Sequence, residues 1–331
     1  MILIMGCLSS KLNEKIEFID SQNTQTKFQT EFRYADGRRF HNLENAGYPL
    51  PNDDEESDRL HLQHFLIRYI WQSNFSSPIE HILSSQGTKI LDIGCGAGSW
   101  SFDMATTYVY INFYESKAKP SRYPSLEIVG LDLSPHQPTY IKPKNFSFIK
   151  ANVLEGIPFE DNTFDFVFQR YLVFGYPKEK WPFIMNEIVR VLKPGGFLEL
   201  CEPSTVYDAG PVTQYLFKAV QDIVNQKGGD PNIYRMLEKY VQNQGQLKNI
   251  KKEVKRCYHG EKSNNIKLSK VAITDIISLY ESLKPSLTKH LQISDTKLSK
   301  LIKNSEKELF DFDSFYYMVR VYATKFVDNY N

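Results

Sequence analysis

The run Lys89-Ile90-Leu91-Asp92-Ile93 passes without a spacer into Gly94-Cys95-Gly96-Ala97-Gly98, three glycines at alternate positions. A short apolar strand ending in such a loop leaves few folds open. Glycines there permit positive φ and let a ligand approach the backbone closely. Four more short apolar runs follow, Glu127–Leu131, Phe146–Ile149, Phe164–Phe168 and Phe197–Leu200. The stretches between them read as helices, the clearest being Lys180–Leu192, which Lys193-Pro194-Gly195-Gly196 stops and turns into the next strand. Short strands alternating with helices predict a doubly wound, mainly parallel α/β sheet with helices on both faces.

Helices are expected on either side of this Rossmann-like core. Asn52-Asp53-Asp54-Glu55-Glu56 sets acids at the positive end of a helix dipole, and the helix should run to about Trp71. Its apolar face is read as Leu62, Phe65, Leu66, Tyr69 and Ile70. Ser77-Pro78 reads as an N-cap with Pro at the first position of a short helix to about Leu83. After Glu202 the chain reads as mostly helical, with one strand around Glu253–Cys257. Phe312, Phe315, Tyr316, Val319, Tyr322, Ala323 and Phe326 follow i, i+3, i+4 spacing and predict a last helix packed on the sheet. The expected organisation is a mobile N-terminal segment (1–30), a cap with helices (31–86), the sheet core (87–203) and a mostly helical substrate or lid region (204–331) completing the same domain.

Composition narrows the function classes. The 331 residues include 40 basic and 39 acidic side chains, a net charge of +1, so no global field favours a nucleic-acid partner. The four cysteines, at 7, 95, 201 and 257, form no CxxC pair, and no His cluster has metal-ligand spacing, so no metal is expected. Free cysteines fit a reducing, cytoplasmic or nuclear setting. No stretch approaches the ~20 apolar residues of a membrane span. With 22 Phe and 20 Tyr, some rings are available to line an apolar substrate pocket.

The glycine spacing is GxGxG rather than GxGxxG, and Asp92 stands two residues before the first Gly. A dinucleotide-binding oxidoreductase shows a similar loop, but it sets a helix N-terminus against a pyrophosphate. A carboxylate beside the loop suits a ligand with a sulfonium and an amino group instead. Asp92-x-Gly94-x-Gly96-x-Gly98 resembles the first motif of the class I S-adenosylmethionine-dependent methyltransferases, and four further segments match in order. These are Val129-Gly130-Leu131-Asp132-Leu133-Ser134-Pro135, Ala151-Asn152-Val153, Ile157–Val167 and Glu187–Gly196. The flank Gly37-Arg38-Arg39-Phe40-His41 with Tyr48–His64 is similar to the N-terminal signature of the fungal LaeA-like regulators of secondary metabolism.

This resemblance implies S-adenosyl-L-methionine as cofactor, held by Asp92, Gly94, Cys95, Gly96, Gly98, Asp132, Leu133, Asn152, Val153 and Gln169. Asp132 would accept both ribose hydroxyls, and Asn152, where the family usually has Asp, would bond the adenine edge. Each has a plainer reading as a turn former. Cys95 also reads as a filler between loop and helix. The implied reaction is methyl transfer to an acceptor, expected to be a small molecule. No His is placed as a base, and Glu202, Tyr207 and Arg170 at the carboxyl edge of the sheet are the candidates for catalysis. The alternative is a regulatory module that binds the cofactor and acts through a protein partner. Tyr34, Arg38, Arg39 and Tyr48 are the candidates to close a cap over the cofactor mouth.

Two features depart from the pattern. The stretch from Gly98 to Asp132 is longer than the about 20 residues such folds usually need, and Val109–Tyr123 reads as a surface loop insertion. Met5-Gly6-Cys7-Leu8-Ser9-Ser10 fits an acylation pattern. Translation from Met5 would expose Gly6 for myristoylation and place Cys7 for palmitoylation, and membrane attachment is expected only then.

Overall fold

The computed structural model describes residues 32–42, 48–115, 126–135 and 142–327, except the side chains of 109–115. The Met5–Ser10 acylation pattern, the 1–30 segment, the C-terminal part of the 109–123 insertion and residues 43–47 lie outside these residues.

Two short strands, β1 (Phe32–Ala35) and β2 (Arg38–His41), pair as a hairpin. Helix α1 (Asp54–Trp71) begins where the acids lie, and the Asp53 carboxylate accepts from the Glu56 N–H at 3.1 Å as its N-cap. Its buried face holds Glu56, Arg59, His64, Leu66, Ile67 and Trp71, whereas Phe65 and Tyr69 are exposed. The expected apolar face is therefore rotated, and charged side chains occupy part of the inner surface. Helix α2 (Glu80–Leu83) has no side-chain cap. Ser77 instead turns inward, its backbone N–H and its hydroxyl both donating to buried Glu199 at 2.8 Å.

The core contains β3 (Lys89–Ile93), α3 (Ser99–Glu115), β4 (Glu127–Asp132), β5 (Phe146–Lys150), β6 (Phe164–Arg170), α4 (Trp181–Val191) and β7 (Leu192–Tyr207). All five expected strands are present. The C-terminal region supplies α5 (Pro211–Gln226), α6 (Leu237–Gln244), β8 (Leu247–Tyr258), α7 (Ile266–Ser282), α8 (Lys284–Leu291), α9 (Asp295–Asp311) and β9 (Phe315–Lys325). The seven-stranded sheet has the order β5-β4-β3-β6-β7-β9-β8. Neighbours are parallel from β5 through β7, while β9 runs antiparallel to both β7 and β8.

Two expectations are corrected here. Phe312 caps the end of α9, and most of the Phe312–Phe326 segment is strand β9 (Phe315–Lys325), not a helix. It lies between β7 and β8 with both faces covered, so its apolar residues do not alternate, and a run of that kind mimics helical spacing. Helix α3 reaches Glu115, so the first half of the insertion at 109–123 continues the helix rather than forming a loop. No described helix is long and apolar enough to cross a membrane.

The strand order reverses beside β3: the chain goes out through β4 and β5, then returns to add β6 on the other side. In open α/β sheets, ligands bind at the carboxyl ends of the strands at such a switch point. Packing holds those ends in place. Trp100 at the start of α3 stacks on Phe168 of β6 with centroids 4.0 Å apart and planes 4° from parallel. Gly130 of β4 leaves room for the Cys95 sulfur, since a Cβ there would lie 2.8 Å from Sγ.

Candidate cofactor and acceptor site

A cavity of about 340 Å³ opens at the carboxyl ends of β3, β4 and β6. The loop after β3 forms its floor. Gly94, Gly96 and Gly98 all take positive φ (67°, 52° and 78°). A Cβ at Gly94 would meet the Leu172 side chain at 2.5 Å. At Gly96 a Cβ would meet only Leu60, at 3.2 Å, with the cavity on its other side. The loop is thus shaped so that its backbone, and not a side chain, meets whatever occupies the cavity.

Asp132 ends β4 beside this loop. Its carboxylate accepts from the Gly96 N–H at 2.9 Å and from the Ser134 N–H at 3.0 Å. Burial pushes its pKa up, and those backbone donors hold it back. Each oxygen keeps acceptor capacity toward the cavity. Asn52 of the N-terminal region reaches over and donates to the Ser134 hydroxyl at 2.7 Å. Asp92, fully buried, accepts from the Ser101 hydroxyl at 2.6 Å. Burial pushes its carboxyl up to about 7, against the opposing pull of Ser101 and Arg170.

Arg170 lines the same cavity and is partly buried, and desolvation lowers its pKa. Both terminal nitrogens lie 3.4 Å from His64 Nδ1, and no described carboxylate sits within ion-pair distance of them. His64 in turn meets Asp103 through Nε2 at 3.1 Å, and burial drives its pKa down to about 4. His64 is therefore a neutral ring that orients Arg170, a role the sequence offered no sign of.

Most of the expected cofactor residues converge here. Asp92, Gly94, Cys95, Gly96, Asp132, Leu133, Asn152 and Val153 all line the cavity. Asn152 does so while capping its own turn, accepting from the Leu154 N–H at 3.1 Å. Gly98 shapes the loop from outside the lining. Gln169 does not face the cavity: its side chain is fully buried, and its Oε1 accepts from the Tyr176 hydroxyl at 3.1 Å. A β-strand alternates its faces, so Arg170 points where Gln169 does not.

Two catalytic candidates are also corrected. Glu202 lies behind the loop, not in the cavity. Its two oxygens accept from the Leu172 and Val173 N–H groups at 2.7 and 3.2 Å, which fixes the segment after β6. Burial raises it to about 8. Tyr207 lies outside the lining, bonded to the Tyr234 hydroxyl at 2.7 Å and stacked on Phe315. Of the three candidates, only Arg170 reaches the cavity.

The N-terminal flank closes one side. Arg38 makes a two-pronged ion pair with Asp53, at 2.6 and 2.8 Å, and Arg39 donates to the Asn52 backbone oxygen. Both arginines thus fasten the hairpin to the start of α1. His41 and Tyr48 face the cavity, and Tyr34 is exposed. The remaining wall comes from α1, α5 and α7, including Glu56, Arg59, Gln63, Phe217, Asp275 and Leu279.

The donor set fits S-adenosylmethionine. A glycine floor open to the backbone, an acidic strand end with unused lone pairs, a second carboxylate and a partly buried guanidinium with no ion-pair partner among the described residues suit a ligand that carries a diol, cationic centres and a carboxylate. Residues 90–196 match the methyltransferase domain family model. Over that stretch the chain is similar to methyltransferase domains, in agreement with the ordered sequence segments and with the lining of the cavity. It is 34% identical over 176 residues to the methyltransferase pytC of Aspergillus terreus, covering 53% of this chain and 48% of that protein. It is 28% identical over 166 residues to the N-methyltransferase verN of Clonostachys rogersoniana (49% and 52%). It is 27% identical over 187 residues to the secondary metabolism regulator laeA of Aspergillus flavus (56% and 44%). The chain thus matches about half the length of these relatives.

The Asp92 geometry gives a pH dependence for cofactor binding. Below about 7 its carboxyl is protonated, and above that it is ionised and complements a cationic ligand. Affinity for S-adenosylmethionine is expected to rise by up to about tenfold per unit as pH approaches about 7 from below, and to level off above it. Without ligand the sign reverses: a carboxyl raised in the folded state contributes stability that is fully present below about pH 4 and lost as pH rises through about 7. Calorimetric titrations across that range check this, and Asp92→Asn should flatten the profile.

Proposed function

We propose that this protein transfers a methyl group from S-adenosylmethionine to a small molecule enclosed by its own N- and C-terminal helices. The observation that carries this reading is that one cavity joins the glycine loop and Asp132 to a wall from α1, α5 and α7. When bound, the cofactor supplies a methyl group on an electrophilic sulfonium. Asp132 is assigned to its ribose, Asn152 and Val153 to its adenine, Asp92 to its cationic end and Arg170 to its carboxylate. The enclosing helices exclude water and align the acceptor, which is most of what such a transfer asks of a protein. The names of the pytC and verN relatives support an enzymatic reading.

A regulatory reading is favoured by one observation: Glu202 and Tyr207, two of the three residues read from the sequence as candidates for catalysis, are both turned away from the cavity. The laeA relative's name points the same way. Release of S-adenosylhomocysteine across a panel of small molecules and proteins separates the two. Turnover with any acceptor, abolished by Gly96→Arg, supports the enzyme. Cofactor binding without turnover on the whole panel contradicts it.

A further inference from the structure

The guanidinium of Arg170 is held from outside the sheet core. His64 belongs to α1, and its side chain is fully buried. Its Nδ1 faces both terminal nitrogens of Arg170, and its Nε2 faces Asp103 of α3. These two neighbours leave the ring one arrangement of protons. A guanidinium can only donate, so Nδ1 keeps its lone pair. An ionised carboxylate can only accept, so Nε2 carries the hydrogen. Asp103 is ionised: desolvation works to raise its carboxyl, and hydrogen bonds from His64, Thr107 and Asn74 outweigh that and hold it below the ordinary carboxylate range. Arg68 meets the same Asp103 oxygen at 3.1 Å.

A neutral ring is the right neighbour for an arginine that keeps its charge for a ligand. A carboxylate in the place of His64 would orient Arg170 and neutralise it as well. The ring takes up one donor and leaves the positive charge uncompensated. A guanidinium has five N–H donors, and Arg170 makes no other hydrogen bond among the described residues. It stays partly exposed where it lines the cavity, so donors and charge are both left for a ligand there. An arginine side chain also has many rotamers, and fixing one edge of it before the ligand arrives lowers the ordering cost of binding.

Resting on the methyltransferase reading above and its assignment of Arg170, we infer that His64, backed by Asp103, is the positioning residue for the cofactor's carboxylate, and that this relay makes the site discriminate S-adenosyl ligands by their amino-acid end. His64 lies before residue 90, where the match to methyltransferase domains begins. Helix α1 therefore completes the cofactor pocket as well as walling the cavity: it supplies the acceptor that sets Arg170, while the glycine loop and Asp132 take the nucleoside. A carboxylate meets a prearranged fork of donors. A ligand without one leaves that fork and its charge unpaired at a half-buried site.

The test uses the whole protein and two matched probes, S-adenosylhomocysteine and the same molecule without its carboxylate, S-adenosyl-3-thiopropylamine. Calorimetry on the wild type is expected to favour S-adenosylhomocysteine roughly tenfold or more. His64→Phe should cut that preference by about three- to tenfold, through S-adenosylhomocysteine alone. His64→Gln, whose amide supplies an acceptor and a donor, should restore part of it, and Arg170→Met should remove it. A merely structural role for His64 would weaken both probes together. Where His64→Phe does not fold, the ring nitrogens of isotope-labelled wild type decide by their resonances: hydrogen on Nε2 and none on Nδ1 at neutral pH supports the relay, and hydrogen on Nδ1 overturns it. A preference that survives His64→Phe or Arg170→Met, or equal weakening of both probes, also overturns it. Wild type that binds both probes without preference overturns the relay alone, whereas wild type that binds neither overturns the methyltransferase reading too.

Discussion

Asp132→Ala is expected to weaken S-adenosylmethionine binding by about a hundredfold. Two effects add. The ribose loses a carboxylate able to accept two hydrogen bonds, each stronger than a neutral one because the acceptor is charged. The Gly96 and Ser134 N–H groups also lose the acceptor that holds the loop against the end of β4. The fold should survive, because the sheet beneath is built from Ile128, Val129 and Leu131, all buried. Calorimetry on the variant, with thermal unfolding as the control, checks both parts. Unchanged affinity would remove Asp132 from the site.

Arg59→Met is expected to destabilise the protein by about 3–5 kcal/mol, the usual cost of leaving a buried charge without its partner. Arg59 is fastened to Glu56 on its own helix and to Asp275 on α7, with side-chain exposures of 4%, 1% and 6%. Removing it strands two carboxylates in the interior at once. Denaturant unfolding measures the loss, and adding Glu56→Gln and Asp275→Asn should recover part of it, since neutral amides cost less to bury. A loss below about 1 kcal/mol would place the trio in solvent-screened surroundings instead.

The two halves of the site differed in how far the sequence revealed them. The cofactor half is local: strand, glycine loop and Asp132 follow one another within a few elements, and each residue type has a reason at its position. Gln169 was misplaced because its neighbour Arg170 takes the cavity-facing side of the strand. Glu202 stands at the right edge of the sheet, yet two backbone N–H groups claim its carboxylate, and no sequence pattern marks that. The wall from α1, α5 and α7 is nonlocal. Arg59 and Asp275 lie 216 positions apart, and each alone reads as an ordinary helix-surface charge. Arg59 and Gln63, one helical turn apart, share a face and were the one available hint. The same nonlocality hid β9, whose two edges pair with β7 and β8 and whose two faces are both largely buried, which erases the alternation that marks a strand.

The most direct measurement is a calorimetric titration of the purified protein with S-adenosylmethionine, run beside NAD and NADP. The glycine loop, Asp92, Asp132 and Arg170 call for saturable one-site binding of S-adenosylmethionine, with a dissociation constant on the order of micromolar, and no comparable heat from either dinucleotide. Binding of a dinucleotide in preference to S-adenosylmethionine would contradict the assignment of this site.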